Sequence, residues 1–307
     1  MKVLLPREAA LEELGPLPDG VELTAERAPD VEVAVLHFGV SRSLPEVFAE
    51  LPALRVIQTL NAGVEWLLPA VPRGVTVCNA SGVHDIPVAE WCVAAILALT
   101  RRLPDFWRLQ AERRWDADVN PMGAGGESPL GPIDDLDGKQ VLVVGHGSIG
   151  RALEARLEPF GARIVGVARH ERPGVHTVEE LPELLLDADV VVLLLPLTEE
   201  TRGLVDARFL DSMRPGALLV NAARGPLVDT GALEERLRAG RLRAALDVTD
   251  PEPLPPEHSL WSAPNLLITP HVGGATTQWE ARAYRFVGDQ LRRLAAGEPP
   301  LNVRTVY

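Results

Sequence analysis

Cysteine is nearly missing from this 307-residue chain: only Cys78 and Cys92 are present. Their spacing fits neither a disulfide scaffold nor a zinc site, so no metal centre is expected. Cys92 falls in a helix-like run, where a small buried thiol is the default. Lysine is as rare, with only Lys2 and Lys139; the excess of arginine is compositional and carries no functional content. Basic blocks are lacking, and the formal net charge of -13 at pH 7 disfavours nucleic acid and anionic membranes as partners. No apolar run approaches the length of a membrane span. The opening "MKVLLPREAA" has too short an apolar stretch for a secretory signal. A reducing, cytoplasmic setting is therefore expected.

What the chain does have is alternation. Its length suggests about two domains of roughly 100–200 residues each. In the first part, apolar β-rich runs at 3–6, 33–38, 54–59 and 75–79 alternate with helix-like stretches such as "LPEVFAEL". Residues 87–103, "PVAEWCVAAILALTRRL", read as one long buried helix with a proline early and arginines late. A Gly-, Pro- and Asp-rich stretch at 116–138 then reads as a loop or linker. A second alternation follows, with strands expected at 140–145, 163–167, 189–195, 217–221, 243–247 and 266–269. Runs as continuously apolar as "VVVLLL" suit parallel strands covered on both faces. The expected fold class is α/β, with two doubly wound parallel-sheet domains.

One strand-to-helix junction carries three glycines, in "VLVVGHGSIGRALEARL" at 141–157. Strand, Gly-x-Gly-x-x-Gly, helix is the dinucleotide fingerprint in its proper context. Gly145 permits the tight turn, Gly147 lets backbone approach a pyrophosphate, and Gly150 lets the helix pack closely on the strand. The helix start at 148–150 offers N–H groups to phosphate. The following strand, in "RIVGVARHERPG", ends at Ala168, where an acid would hold the ribose 2′-hydroxyl of NAD. Arg169, His170 and Arg172 stand beyond it and suit a 2′-phosphate, so NADP(H) is the expected cofactor, with NAD possible.

Three later stretches each bring a polar residue to the carboxyl end of a strand, where open α/β sheets bind ligands. They offer a cation (Arg224), a carboxylate (Glu252) and an imidazole (His271). These groups serve a 2-keto acid. Arginine binds its carboxylate and polarises its carbonyl, and histidine gives the carbonyl oxygen a proton as hydride reaches carbon. A carboxylate against the far ring nitrogen orients an imidazole and favours its charged form.

With "VGHGSIG", "NAARGPLVD", "ALDVTDPEPLP" and "TPHVGGAT" in this order, nearly the whole chain resembles the D-isomer-specific 2-hydroxyacid dehydrogenases. The resemblance implies that Arg224, Glu252 and His271 are the catalytic Arg, Glu and His. It implies cofactor contacts from Gly145, His146, Gly147, Ser148, Ile149, Gly150, Leu195, Pro196, Ala222, Ala223 and Gly273, with Asp247 on the nicotinamide carboxamide. In "LNAGVEWL", backbone N–H groups of Ala62, Gly63 and Val64 would hold the substrate carboxylate, beside Arg224 and His271. The implied architecture is a flavodoxin-like substrate domain (1–103 and 276–307) and a Rossmann cofactor domain (104–275), paired in a homodimer. The NADP signal and the short chain favour the glyoxylate/hydroxypyruvate reductase branch. A bulkier 2-keto acid is the alternative within enzymology, and a nucleotide-sensing interaction protein on the same fold is the alternative outside it.

Overall fold

The computed structural model describes residues 1–6, 9–37, 43–120, 122, 128–170 and 172–304. Phe38, the last residue of one expected strand, and parts of the linker at 121 and 123–127 lie outside the described residues. By backbone contacts the chain forms two compact units, Met1–Asp85 with Thr276–Tyr307, and Ile86–Ala275.

In the first unit, β1 (Lys2–Leu4), β2 (Glu22–Thr24), β3 (Val33–Leu36), β4 (Val56–Thr59) and β5 (Thr76–Cys78) run parallel in the order β2-β1-β3-β4-β5. That is the flavodoxin-like order, whose switch point falls between β1 and β3. Successive side chains of a strand point to opposite faces. Ala34, Leu36 and Ile57 accordingly pack with Phe48 of α1 (Leu44–Ala49), whereas Val33, Val35 and Val56 belong to the cluster on the other face.

The long helix expected at 87–103 is α2 (Asp85–Thr100), and it stops earlier than expected. Arg102 turns left-handed at φ 58°, and a separate helix, α3 (Leu103–Ala111), begins beyond it. Pro104 accounts for the break, because in a continuous helix it has no N–H to donate to the Thr100 carbonyl and its ring clashes with that carbonyl, whereas the first turn of a new helix tolerates it. The expected domain boundary at 103 moves to Asp85/Ile86 for a packing reason. Val88, Ala89, Cys92, Ala95, Ile96 and Leu99 of α2 share one cluster with Val141, Val143 and Val190 of the second sheet.

That second sheet contains β6 (Gln140–Val144), β7 (Arg163–Val167), β8 (Val175–His176), β9 (Val190–Leu193), β10 (Leu218–Asn221), β11 (Arg243–Leu246) and β12 (Leu266–Ile268). Its order is β12-β11-β10-β9-β6-β7-β8, all parallel. The chain runs outward from β6 through β7 to β8, then crosses back to β9 on the other flank of β6. The switch point therefore lies at β6, where ligands bind in such sheets. Helices α4 (Ser148–Leu157), α5 (Leu181–Leu184), α6 (Ala207–Ser212) and α7 (Thr230–Arg238) connect the strands. Val141 and Val143 enter one core and Leu142 and Val144 the other, so the apolar runs are buried on both faces. The chain returns to the first unit through α8 (Trp279–Ala295) and β13 (Val303–Arg304), which pairs antiparallel with β5.

Candidate active site

All seven strands of the second sheet end on one rung, with His176 paired to Val167 and Val167 to Val144. Val144 pairs with Leu193, Leu193 with Asn221, Asn221 with Leu246, and Leu246 with Ile268. The segments that follow emerge along a single edge, carrying Gly145, Leu195 and Pro196, Ala222 to Arg224, Asp247, and His271. With strands about 4.8 Å apart, the ends of β10 and β12 lie about 10 Å from each other, with β11 between them.

The glycine loop is shaped as its spacing predicts. Gly145 adopts φ 97°, and a Cβ there would stand 2.6 Å from the backbone of Leu194 and Leu195. A side chain at Gly150 would stand 3.3 Å from both Val143 and the His146 ring, which explains the close seat of α4 on β6. At Gly147 the nearest atom would be 3.9 Å away, a backbone oxygen of the loop itself, so the space in front is open. Ser148 begins α4, and Ile149 packs half-buried against the core. Open room before Gly147, at the first turn of a ten-residue helix, fits the pyrophosphate of a dinucleotide.

Ala168 follows β7, with Arg169 and His170 exposed beyond it. Arg172 folds back, and its guanidinium donates to the carbonyl of His146. His146, between the first two glycines, is buried, and its Nε2 lies 2.8 Å from Glu154 Oε2.

His271 and Glu252 meet directly, with Nδ1 2.6 Å from Oε1. Both side chains remain open to solvent, 49% and 39% exposed. His271 sits at φ 54°, an unusual conformation for a residue with a side chain. Asp247 holds it there. Its carbonyl accepts from His271 N (2.7 Å), and its buried carboxylate accepts from Thr269 Oγ1 (2.6 Å), Val272 N (2.9 Å) and Gly273 N (2.8 Å). A Cβ on Gly273 would stand 2.8 Å from that carboxylate. Asp247 thus fixes the loop that presents the imidazole.

Arg224 is set by a different clamp. Asn221, the buried last residue of β10, accepts from Ala223 N (3.0 Å) and donates to the Arg224 carbonyl (2.9 Å). Arg224 Nη1 donates to the Ala223 carbonyl at 2.6 Å. A Cβ at Gly225 would lie 1.9 Å from the Thr249 carbonyl oxygen, so the Arg224 loop packs backbone to backbone on the loop leading to Glu252. Thr249 and Thr230 pin the latter by donating to the carbonyls of Pro251 (2.8 Å) and Asp250 (2.9 Å). The sequence reading missed Asn221, Thr249, Thr269 and Glu154. A polar residue closing an apolar strand run, as Asn221 does, was the available signal.

In the first unit, Ala62, Gly63 and Val64 follow β4. The carbonyls of Asn61, Ala62 and Gly63 accept from Thr59 Oγ1 (2.7 Å), Asn79 Nδ2 (2.5 Å) and Trp66 Nε1 (3.3 Å). In planar trans peptides the N–H groups of Ala62, Gly63 and Val64 then point the opposite way.

A parallel sheet bearing a glycine loop at its switch point, with an imidazole–carboxylate pair and an arginine on the same edge, defines a nucleotide-linked oxidoreductase. The model of the D-isomer specific 2-hydroxyacid dehydrogenase NAD-binding domain matches residues 93–273, and the chain belongs to that family of NAD(P)-dependent enzymes. It is 37% identical to a glyoxylate reductase of Thermofilum pendens over 83% of this chain and 76% of that protein. It is 32% identical to a D-3-phosphoglycerate dehydrogenase of Methanocaldococcus jannaschii over 95% of this chain, but spans only 56% of that longer protein. A D-isomer specific 2-hydroxyacid dehydrogenase from Xanthobacter autotrophicus, solved with NADPH and MES, superposes with a TM-score of 0.81. The two are 30% identical, over 99% of this chain and 98% of that one. No helix among the described residues is long and apolar enough to cross a membrane.

Proposed function

We propose that this chain is an NADP(H)-preferring dehydrogenase that reduces a small 2-keto acid, of glyoxylate or hydroxypyruvate type, to the D-2-hydroxy acid. The observation that carries the reading is the His271–Glu252 pair, 2.6 Å apart on the edge that also bears the glycine loop. Gly145 to Gly150, Leu195, Pro196, Ala222, Ala223, Asp247 and Gly273 would hold the dinucleotide, which supplies or takes up the hydride when bound. Arg224 binds the substrate carboxylate and polarises its carbonyl with a planar, permanently charged donor. His271 Nε2 gives the carbonyl oxygen its proton during reduction and recovers it during oxidation. Glu252, on Nδ1, keeps the ring oriented and stabilises the imidazolium.

Ala168 and the basic residues after it support NADP(H), because an acid there would repel a 2′-phosphate whereas a guanidinium grips it. The NADPH complex of the Xanthobacter autotrophicus relative supports the same preference, and the glyoxylate reductase of Thermofilum pendens supports a small substrate. Trp107 and Trp115, 55% and 97% exposed on and after α3, support a homodimer that covers them. The cytoplasm suits such an enzyme.

The test follows NADPH and NADH absorbance with purified protein and a panel of 2-keto acids. NADPH oxidation by glyoxylate or hydroxypyruvate is expected, with kcat/KM above that for NADH. His271→Ala is expected to lower kcat by about 10²–10⁴-fold. A preference for NADH overturns the cofactor assignment, and a preference for bulky acids overturns the substrate. Tight NADPH binding without turnover of any acid favours a nucleotide sensor.

A further inference from the structure

His146 lies on the exit of β7. Its N–H and that of Gly145 both donate to the Val167 carbonyl, at 2.9 Å each. Its ring rests on Gly166, where a Cβ would come within 2.7 Å of the imidazole Cγ. The ring is thereby fixed between β7 and α4, with Nε2 facing Glu154 at 2.8 Å and Nδ1 facing Arg172 Nη2 at 3.3 Å. An ionised carboxylate only accepts hydrogen bonds, so Glu154 keeps the ring hydrogen on Nε2. Nδ1 is then an acceptor, and it receives the guanidinium that also donates to the His146 carbonyl. The segment carrying Arg172 doubles back through Val175 N to the Arg172 carbonyl and Ala168 N to the His176 carbonyl, both 3.0 Å.

In a dinucleotide fold the pyrophosphate lies on the glycine loop and the ribose 2′ position at the end of the next strand. Arg172 stands where these two places meet. We infer that His146 and Glu154 are positioning residues that preset Arg172 for the 2′-phosphate of the cofactor. The inference rests on the NADP(H) reading above and adds which basic residue acts and what holds it. A guanidinium already bonded in place loses less freedom on binding than a solvated one. That is what the relay through the ring contributes.

The test measures, by calorimetry, the affinity of the whole protein for adenosine 2′,5′-bisphosphate and for AMP, and takes their ratio. The wild type is expected to favour the bisphosphate, and Arg172→Leu to lose that preference by about tenfold or more. His146→Phe and Glu154→Leu are expected to lose about tenfold as well. Glu154→Gln, whose amide oxygen still accepts from Nε2, should keep it. Glu154 is half-exposed on α4, so its variants leave the fold intact, and their AMP affinity reports the loop itself. If Arg172→Leu loses the preference while His146→Phe and Glu154→Leu keep it, the positioning role is overturned and the NADP(H) reading stands. If Glu154→Gln falls as far as Glu154→Leu, the hydrogen-bond argument is overturned. If Arg172→Leu keeps the preference, Arg172 is not the 2′-phosphate ligand. A wild type indifferent to the 2′-phosphate fails the NADP(H) reading and the inference together.

Discussion

Replacing Asp247 with alanine removes the acceptor that organises the His271 loop. The carboxylate takes hydrogen bonds from the Thr269 hydroxyl and from the backbone N–H groups of Val272 and Gly273. Gly273 is buried, so its N–H would be left without water, whereas Val272 is exposed and recovers part of its loss from solvent. Bonds to an ionised acceptor contribute about 1.5–3 kcal/mol each, and relief of a buried charge offsets some of this. A net loss of about 3 kcal/mol follows. For a unit of this size that lowers Tm by about 6–12 °C. The effect on turnover should be larger than the effect on stability. His271 at φ 54° sits in a region that costs a side-chain-bearing residue about 1–2 kcal/mol, so a freed loop relaxes. Relaxation carries the imidazole off Glu252, and a displacement of about 1 Å at a reacting group costs about 10²-fold. Asp247→Asn should fall between, because its oxygen still serves Thr269 and Val272 while its NH2 opposes the N–H of Gly273. Thermal melts and kcat with a turned-over 2-keto acid decide it. An alanine variant with wild-type Tm and wild-type kcat would refute the clamp.

Gly145→Ala must fit a Cβ 2.6 Å from the Leu194–Leu195 backbone at φ 97°. A loss of about 2–4 kcal/mol in a denaturant melt is expected, with dinucleotide affinity falling in parallel; unchanged stability would mean that the turn has another solution. Burial pushes the Cys78 thiol up to about 11, and burial together with the nearby Asp247 carboxylate pushes Cys92 higher still. Because only the thiolate attacks, a disulfide reagent near neutral pH should label neither cysteine in the folded protein and both in denaturant. Rapid labelling of the native protein would contradict their burial.

Much of the second sheet was legible because parallel strands buried on both faces leave continuous apolar runs. Arg163–Val167 matches its expected span, and most other strands lose one or two residues at their ends, where ladder pairing stops at residues such as Gly145, Asp247 and Thr269. Val190–Leu193 is shorter than 189–195 because Leu194 and Leu195 leave the sheet to pass over Gly145. The edge strands Glu22–Thr24, Val175–His176 and Val303–Arg304 were not foreseen, being too short to show a period. The apolar character of α2 gave its burial but not its partner sheet, which is a tertiary property. At the candidate site, glycine spacing foretold the turn at Gly145 and the packing at Gly150. Glu252 and His271 lie far apart in sequence, yet "DPEPLP" and "TPH" marked both. Asn221 showed only as a polar end to an apolar run, and Thr249 and Thr269 not at all: they are ordinary polar residues whose partners only the tertiary fold supplies.

The return of α8 to the first unit has a consequence for biosynthesis. Ala283, Tyr284, Val287 and Leu291 complete the face formed by Val3, Val33, Val35 and Val56. A ribosome therefore makes one side of that sheet long before its cover, while everything needed by residues 86–275 is already translated. The inserted unit should mature first, and the amino-terminal strands must wait for the last helix, exposed meanwhile to any chaperone that binds bare apolar sheet.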